Sequence, residues 1–203
     1  MTDPHLITDI AALEALYGAP GKTSIIKVTD RLTPSYRTWI ARSRLCMLTT
    51  VGPDGTDGSP RGDEGPVVTI QDDHTLLMPD WRGNNRMDSL RNIVADGRVS
   101  LMFMIPGSNN VIRVNGTAKV SVDPSLIDTF ARGNLAPRSV IVVQIAEVYS
   151  QCARALLRSG TWTVGDDSAG LPSVGDMLKD VEAGFDGQSY DALWGDRAAE
   201  TMW

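Results

Sequence analysis

The sequence predicts a mainly β, α+β fold: a six-stranded antiparallel β-barrel with helices on its periphery. Three observations lead there. Six runs rich in β-branched and other apolar residues recur between Leu45 and Val148. Most are joined by short turns dense in Gly, Pro, Asn and Asp, such as Gly52-Pro53-Asp54-Gly55 and Pro106-Gly107-Ser108-Asn109-Asn110. Helical patterns are inserted singly between the strands rather than alternating with them, which disfavours a parallel, doubly wound sheet. At 203 residues and 42% hydrophobic, the chain can bury one substantial core, so one domain is the expectation.

Taken in order, Thr8 reads as the cap of a short helix ending at Tyr17, with Ile10, Leu13 and Leu16 as its stripe. Gly18-Ala19-Pro20-Gly21-Lys22-Thr23 has the flavour of a phosphate loop but fails the template. The first glycine should stand five residues before Gly21, where the chain has Leu16, and the segment follows a helix instead of a strand. It reads as a linker turn. Thr33-Pro34 starts a second helix with Tyr36, Trp39 and Ile40 on one face. A strand covers Leu45 to Val51, a second runs from near Ser59 through Val67, Val68 and Ile70, and a third covers His74 to Met78.

The stretch Pro79 to Ile105 opens with a polar turn, Asp80-Trp81-Arg82-Gly83-Asn84-Asn85-Arg86. A helical pattern follows in which Met87, Leu90, Ile93 and Val94 share a face, and Gly97 stands where a left-handed stop belongs. Arg98 to Ile105 is the next strand and Val111 to Val122 a long one. Asp123-Pro124 starts a short helix to about Ala131, with Leu126, Ile127 and Phe130 inward, and Ser139 to Val148 is strongly β-branched. Helical patterns close the chain at Cys152–Arg158, at Val174–Ala183 behind a Ser173 cap, and around Tyr190–Trp194.

Charge and composition exclude several classes. No run of about 18 apolar residues is present, so no membrane span is expected. Met1 to Ile10 has neither a basic nor an apolar signal region, and Cys46 and Cys152 form no CxxC pair. A cytoplasmic protein with reduced thiols is the reading. The net charge of −6 argues against general nucleic-acid binding, but it is uneven. From Thr161 onward nine acids face only Lys179 and Arg197, leaving a body with 17 Lys and Arg against 16 acids.

Only two histidines exist, His5 and His74, so a His/Cys metal centre or a Ser-His-Asp arrangement has little to build on; no metal site is expected. No GxGxxG follows a strand. A chain poor in general bases points to a bound cofactor that supplies the reactivity. Three polar clusters could hold one. The first is the front of the helix after Arg86, where free N–H groups and the helix dipole attract an anion and Arg82 and Arg86 add charge. Read alone, it is equally an ordinary surface helix with scattered arginines. The second is Gly58-Ser59-Pro60-Arg61-Gly62-Asp63-Glu64, which is otherwise a turn with a surface arginine. The third is Cys152 to Trp162, otherwise a basic helix with a packed Trp.

SPRGD at 59–63, PDWRGNNRMDSLRNI at 79–93, IPG at 105–107, RVNGTA at 113–118 and CARALLRSGTW at 152–162 stand in the order and spacing of one family. The chain resembles, over about Ile7 to Trp162, the FMN-dependent split-barrel flavoproteins related to pyridoxamine 5′-phosphate oxidase, in particular a subgroup of uncharacterised FMN-dependent enzymes. That resemblance implies a six-stranded split barrel, read here over residues 45–162, with the N-terminal helical segment (1–44) packing on it; the acidic helical tail (163–203) lies beyond the matched region, and the resemblance says nothing about it. It implies a homodimer with FMN at the subunit interface. Ser59, Arg61 and Gly62 would meet the flavin. Arg82, Asn84, Asn85, Arg86 and Ser89 would serve the phosphate side, with Asp80 also among the cofactor-binding residues. Arg154 and Trp162 would close the pocket, from the partner subunit if not from their own. Arg61 is the candidate catalytic residue, stabilising charge on the reduced ring.

The sequence departs from the subgroup at Arg154, where Lys is expected, and at Thr161, where Leu is commoner. The residues that clamp pyridoxine phosphate in the true oxidases are not recognisable. The implied function is an FMN-dependent oxidoreductase acting on a small organic substrate. The alternatives are a flavin carrier or sensor without turnover, or a split barrel that holds haem or deazaflavin.

Overall fold

Period-two alternation carries into the structure, a computed structural model that describes residues 5–202. In chain order the elements are α1 (Ile10–Tyr17), α2 (Lys22–Ile26), α3 (Pro34–Ile40), β1 (Leu45–Gly52), β2 (Gly55–Gly62), β3 (Thr69–Ile70), β4 (Thr75–Asp80) and α4 (Asp88–Ala95). They continue with β5 (Arg98–Met104), β6 (Val111–Ser121), α5 (Pro124–Asp128), β7 (Ser139–Gln151), α6 (Arg154–Ser159), α7 (Val174–Val181), α8 (Gly187–Ala192) and α9 (Trp194–Thr201). The strands form one antiparallel sheet in the order β2-β1-β5-β6-β7-β4-β3.

Among the described residues there are seven strands, not six. The segment expected to run unbroken from Ser59 to Ile70 is two strands at opposite ends of the sheet, β2 against β1 and β3 against β4. The break has a local cause. Asp63 donates its N–H to the Arg44 carbonyl, the Gly65 N–H turns back onto the Asp63 carboxylate, Pro66 has no N–H to give, and Val67 donates to the Ser43 carbonyl. The chain therefore leaves the β1 edge and crosses over. That crossing bends the whole sheet. Seven flat strands would put β2 and β3 about 29 Å apart. The seven Cα steps from Gly62 to Thr69 reach at most about 25 Å even if fully extended. The sheet must curl, and its concave face holds the core.

Leu48, Leu76, Leu101, Phe103, Val114, Ile141, Val143 and Val148 have no exposed surface at all. In β7 the inward residues change parity, Ile141, Val143 and Ile145 being odd and Val148 even. The register shift opposite Asn115 and Gly116, where Ala146 has no partner, is the cause. Gly116 is there because a Cβ at that position would collide with the Gln144 carbonyl. Gly116→Ala is expected to push the β6–β7 ladder apart and lower stability by about 2 kcal/mol; a melting curve that superimposes on the wild type would refute this.

Of the helices within 1–44, α3 packs as its spacing predicts. Thr33 caps it, Pro34 sits in its first turn, Ile40 is fully buried, and Tyr36 and Trp39 pack against the core. Helix α1 is capped by Asp9 rather than Thr8, because the Asp9 carboxylate accepts from the Ala12 N–H, and it buries none of its residues. Its stripe of Ile10, Leu13 and Leu16 is exposed. In the tail, Ser173 and Asp176 form a reciprocal capping box at α7, and α7 and α8 touch backbone to backbone at Gly175 and Gly187.

Candidate functional site

A cavity of about 850 Å³ lies where the two ends of the curled sheet approach each other. One wall is Ser59 to Glu64, from the end of β2. The other is Met78 to Asn85, the end of β4 and the turn that follows, joined by Arg138 and Ser139 at the head of β7. Val67, Leu90 and Met202 add apolar surface. The motifs SPRGD and PDWRGNN, separated in sequence, thus face one space.

Two side-chain ties hold these walls together. Arg61 Nη1 donates to Asp80 Oδ1 at 2.6 Å, and both side chains are largely buried. Arg61 Nε is buried with no partner among the described residues. The second tie centres on Asp63, whose carboxylate is 3% exposed. It accepts from Trp81 Nε1 at 3.2 Å and from Arg132 Nη2 at 2.7 and 2.8 Å, while the Arg132 guanidinium lies 4.8 Å from the centre of the Trp81 ring. The sequence reading gave neither Asp63 nor Trp81 a role, although both stand inside quoted motifs. Their meaning appears only when β2 and β4 meet. Arg132 and Arg138 sit in the aperiodic stretch before β7, and no spacing singled them out.

The turn before α4 is tight. Asn85 and Met87 adopt left-handed backbone with φ of 61° and 60°, a region where Asn is among the better-tolerated residues. The Arg86 N–H donates to Asn84 Oδ1, and Arg138 Nη1 donates to Asn85 Oδ1 at 2.8 Å. Because the helix starts only at Asp88, Met87 lies outside it and is exposed. Val94 is exposed too, so the expected four-residue face reduces to Leu90 and Ile93. The inward side is more polar than its spacing suggested. Ser89 donates to the Asp57 carboxylate and Asn92 Nδ2 to Thr50 Oγ1, with Gly52 pressed against Asn92.

The predicted residues divide accordingly. Ser59, Arg61, Gly62, Asp80, Arg82, Asn84 and Asn85 line the cavity. Arg86 does not; it is exposed and pairs with Asp88 at 2.9 Å. Ser89 is buried on Asp57. Arg154 is exposed on α6, and Trp162 donates to the Ser108 carbonyl at 2.8 Å, beside a second hollow lined by Pro34, Trp39 and Arg42. His74 is exposed, its Nδ1 3.1 Å from the Asp30 carbonyl. Cys46 is in the core, where burial pushes its thiol up to about 12 and keeps it protonated. Among the described residues no cluster of His, Cys, Asp and Glu could hold a metal ion.

The family model for pyridoxamine 5′-phosphate oxidase (PNPOx_N) matches residues 32–152. The chain belongs to the pyridoxamine 5′-phosphate oxidase family. The match spans α3 through β7, so every wall of the cavity except Met202 comes from the family's shared region, while α1, α2 and everything after Cys152 lie outside it. Solved structures similar to this member include the HupZ protein of Group A Streptococcus (18% identity over 59% of this chain and 93% of that one, TM-score 0.49). Others are an FMN-binding protein of Syntrophomonas wolfei (12%, 70% and 96%, 0.42) and an FAD-binding protein of Mycobacterium smegmatis (14%, 61% and 97%, 0.41). No curated protein matches the chain.

Proposed function

We propose that the protein binds FMN in this cavity and is an FMN-dependent oxidoreductase acting on a small organic substrate. The supporting observation is the convergence of the SPRGD wall and the Arg82–Asn85 turn on one cavity whose lining includes both arginines and apolar side chains. The donor set suits a flat, polar-edged ring carrying a phosphate. Arg82, Asn84 and Asn85, which line the cavity, would take the phosphate. Ser59 and the Arg61 guanidinium, both in the cavity lining, would serve the ring edge. Bound FMN would supply the hydride or electron transfer. The chain's own task is to bind and orient, and Arg61 adds a fixed positive charge at the ring. Among the described residues, the lining offers a haem no His, Cys or Tyr and only the methionine sulfurs of Met78, Met87 and Met202.

The functional unit in this reading is a homodimer of split barrels. Arg154 and Trp162 lie away from the cavity of their own subunit, so either would reach flavin only from a second copy. The exposed apolar residues of α1 and α2, Ile10, Leu16 and Ile26 among them, offer surface for such a contact. Arg86 can join the phosphate by leaving Asp88, since an exposed ion pair is worth only about 0–1 kcal/mol.

The test is optical. Purified protein given FMN should show bands near about 370 and 450 nm that co-elute with it, as expected of a protein-bound flavin. Oxidation of a donor such as NAD(P)H under air should follow. Colourless protein that leaves millimolar FMN unbound would refute the reading, and bound FMN without turnover on any donor would reduce it to a carrier.

A further inference from the structure

Four arginines besides Arg82 stand in or beside the cavity, and the structure treats them differently. Arg61 is paired with Asp80, Arg132 with Asp63, and Arg86 with Asp88. Arg82 and Arg138 line the cavity and have no carboxylate partner among the described residues. The exposed carboxylate of Glu64 belongs to the β2 wall. Two guanidiniums without a carboxylate partner therefore line the same cavity, one from the turn after β4 and one from the residue before β7.

Resting on the FMN reading, we propose that Arg138 is a binding residue for the ligand's phosphate, a dianion that these two charges match. Its place in the fold suits this. The Arg138 N–H donates to the Asp80 carbonyl at 3.1 Å, and the next residue, Ser139, is in register with Asp80, so its backbone is fixed to the sheet. Arg82 and Arg86, by contrast, ride on the turn itself. One Nη of Arg138 holds Asn85 Oδ1. That bond settles which way the Asn85 amide faces and leaves its two N–H donors available, along with the remaining guanidinium donors. Arg138 thus supplies charge and braces the left-handed turn at Asn85.

The experiment compares FMN with riboflavin, which lacks the phosphate, on the full chain. Wild type should bind FMN more tightly. Arg138→Ala should weaken FMN about tenfold or more and leave riboflavin within about twofold, and Arg138→Lys should regain part of the loss, as a point charge without the planar fork. An unchanged FMN affinity in Arg138→Ala overturns the inference. So does an equal loss for both flavins, which would mark a general structural role. Wild type that binds neither flavin brings down the function reading along with it, whereas wild type that prefers FMN while Arg138→Ala matches it removes the inference alone. A thermal melt of each variant confirms that folded protein is compared.

Discussion

Arg61→Ala is expected to lose both stability and flavin. The Arg61–Asp80 pair closes the cavity at 2.6 Å, with side chains 21% and 15% exposed. Taking away the guanidinium leaves the Asp80 carboxylate largely out of water with no counter-charge, a loss of about 3 kcal/mol for breaking one side of such a pair. In a chain of this size that corresponds to roughly 6–12 °C in melting temperature. The bare carboxylate also faces the space meant for an electron-rich ring. Asp80→Asn in the Arg61→Ala background removes that charge at nearly constant shape, so it should restore a good part of the stability. Flavin reduction separates structure from chemistry: the restored double variant should still reduce its flavin slowly or at a lowered potential, because the positive charge at the ring is gone. Reduction as fast as the wild type, at the wild-type potential, would remove Arg61 from the chemistry and leave it as a tie between two walls.

How much of this was readable in the residues depends on the range of the interaction. Local signals held. Thr33-Pro34 starts α3, Ser173 starts α7, and Gly97 ends α4 with a φ of 85°. Each is decided by a few neighbouring backbone groups. Seven of the eleven expected site residues line one cavity, because the SPRGD and GNN segments carry their turn geometry with them. Failures came where a distant partner decides. Nothing within 59–70 says that β2 and β3 belong to opposite edges of the sheet; the Arg44 and Ser43 carbonyls that redirect the chain lie on the far side of β1. Met87 and Val94 match the helical period, yet the helix starts one residue late and presents Ser89, Asn92 and Ile93 to the sheet instead. Arg138 is an isolated charge in the sequence and becomes informative only when β7 pairs with β4. Gly116 was quoted as part of RVNGTA, but its reason is a bulge in a strand some 30 residues later.

Asp63→Ala is expected to disturb the same cavity by a different route, and the contrast sharpens every other variant. Asp63 touches nothing that needs its charge for chemistry. Its carboxylate, 3% exposed, collects the Trp81 indole N–H, the Arg132 guanidinium and the Gly65 N–H, three donors from three separate segments. Alanine leaves the indole N–H and the Gly65 N–H without their acceptor and frees Arg132 from its place over the Trp81 ring. The cost is about 3–4 kcal/mol, less than a fully dry ion pair would lose because the Arg132 side chain, 40% exposed, can turn to water. Asparagine keeps the shape and one acceptor oxygen, so Asp63→Asn should fall between the two, and denaturant midpoints should rank wild type, Asn, Ala. The effect on ligands should also differ from that at Arg138. Once the crossover at 63–68 loosens, the whole β2 wall shifts, and FMN and riboflavin should weaken by the same factor in Asp63→Ala. A variant as stable as the wild type would show that the walls are held by the Arg61–Asp80 pair alone. A loss confined to FMN would instead mean that Asp63 acts through the cation it holds, Arg132, by presenting that charge to the phosphate.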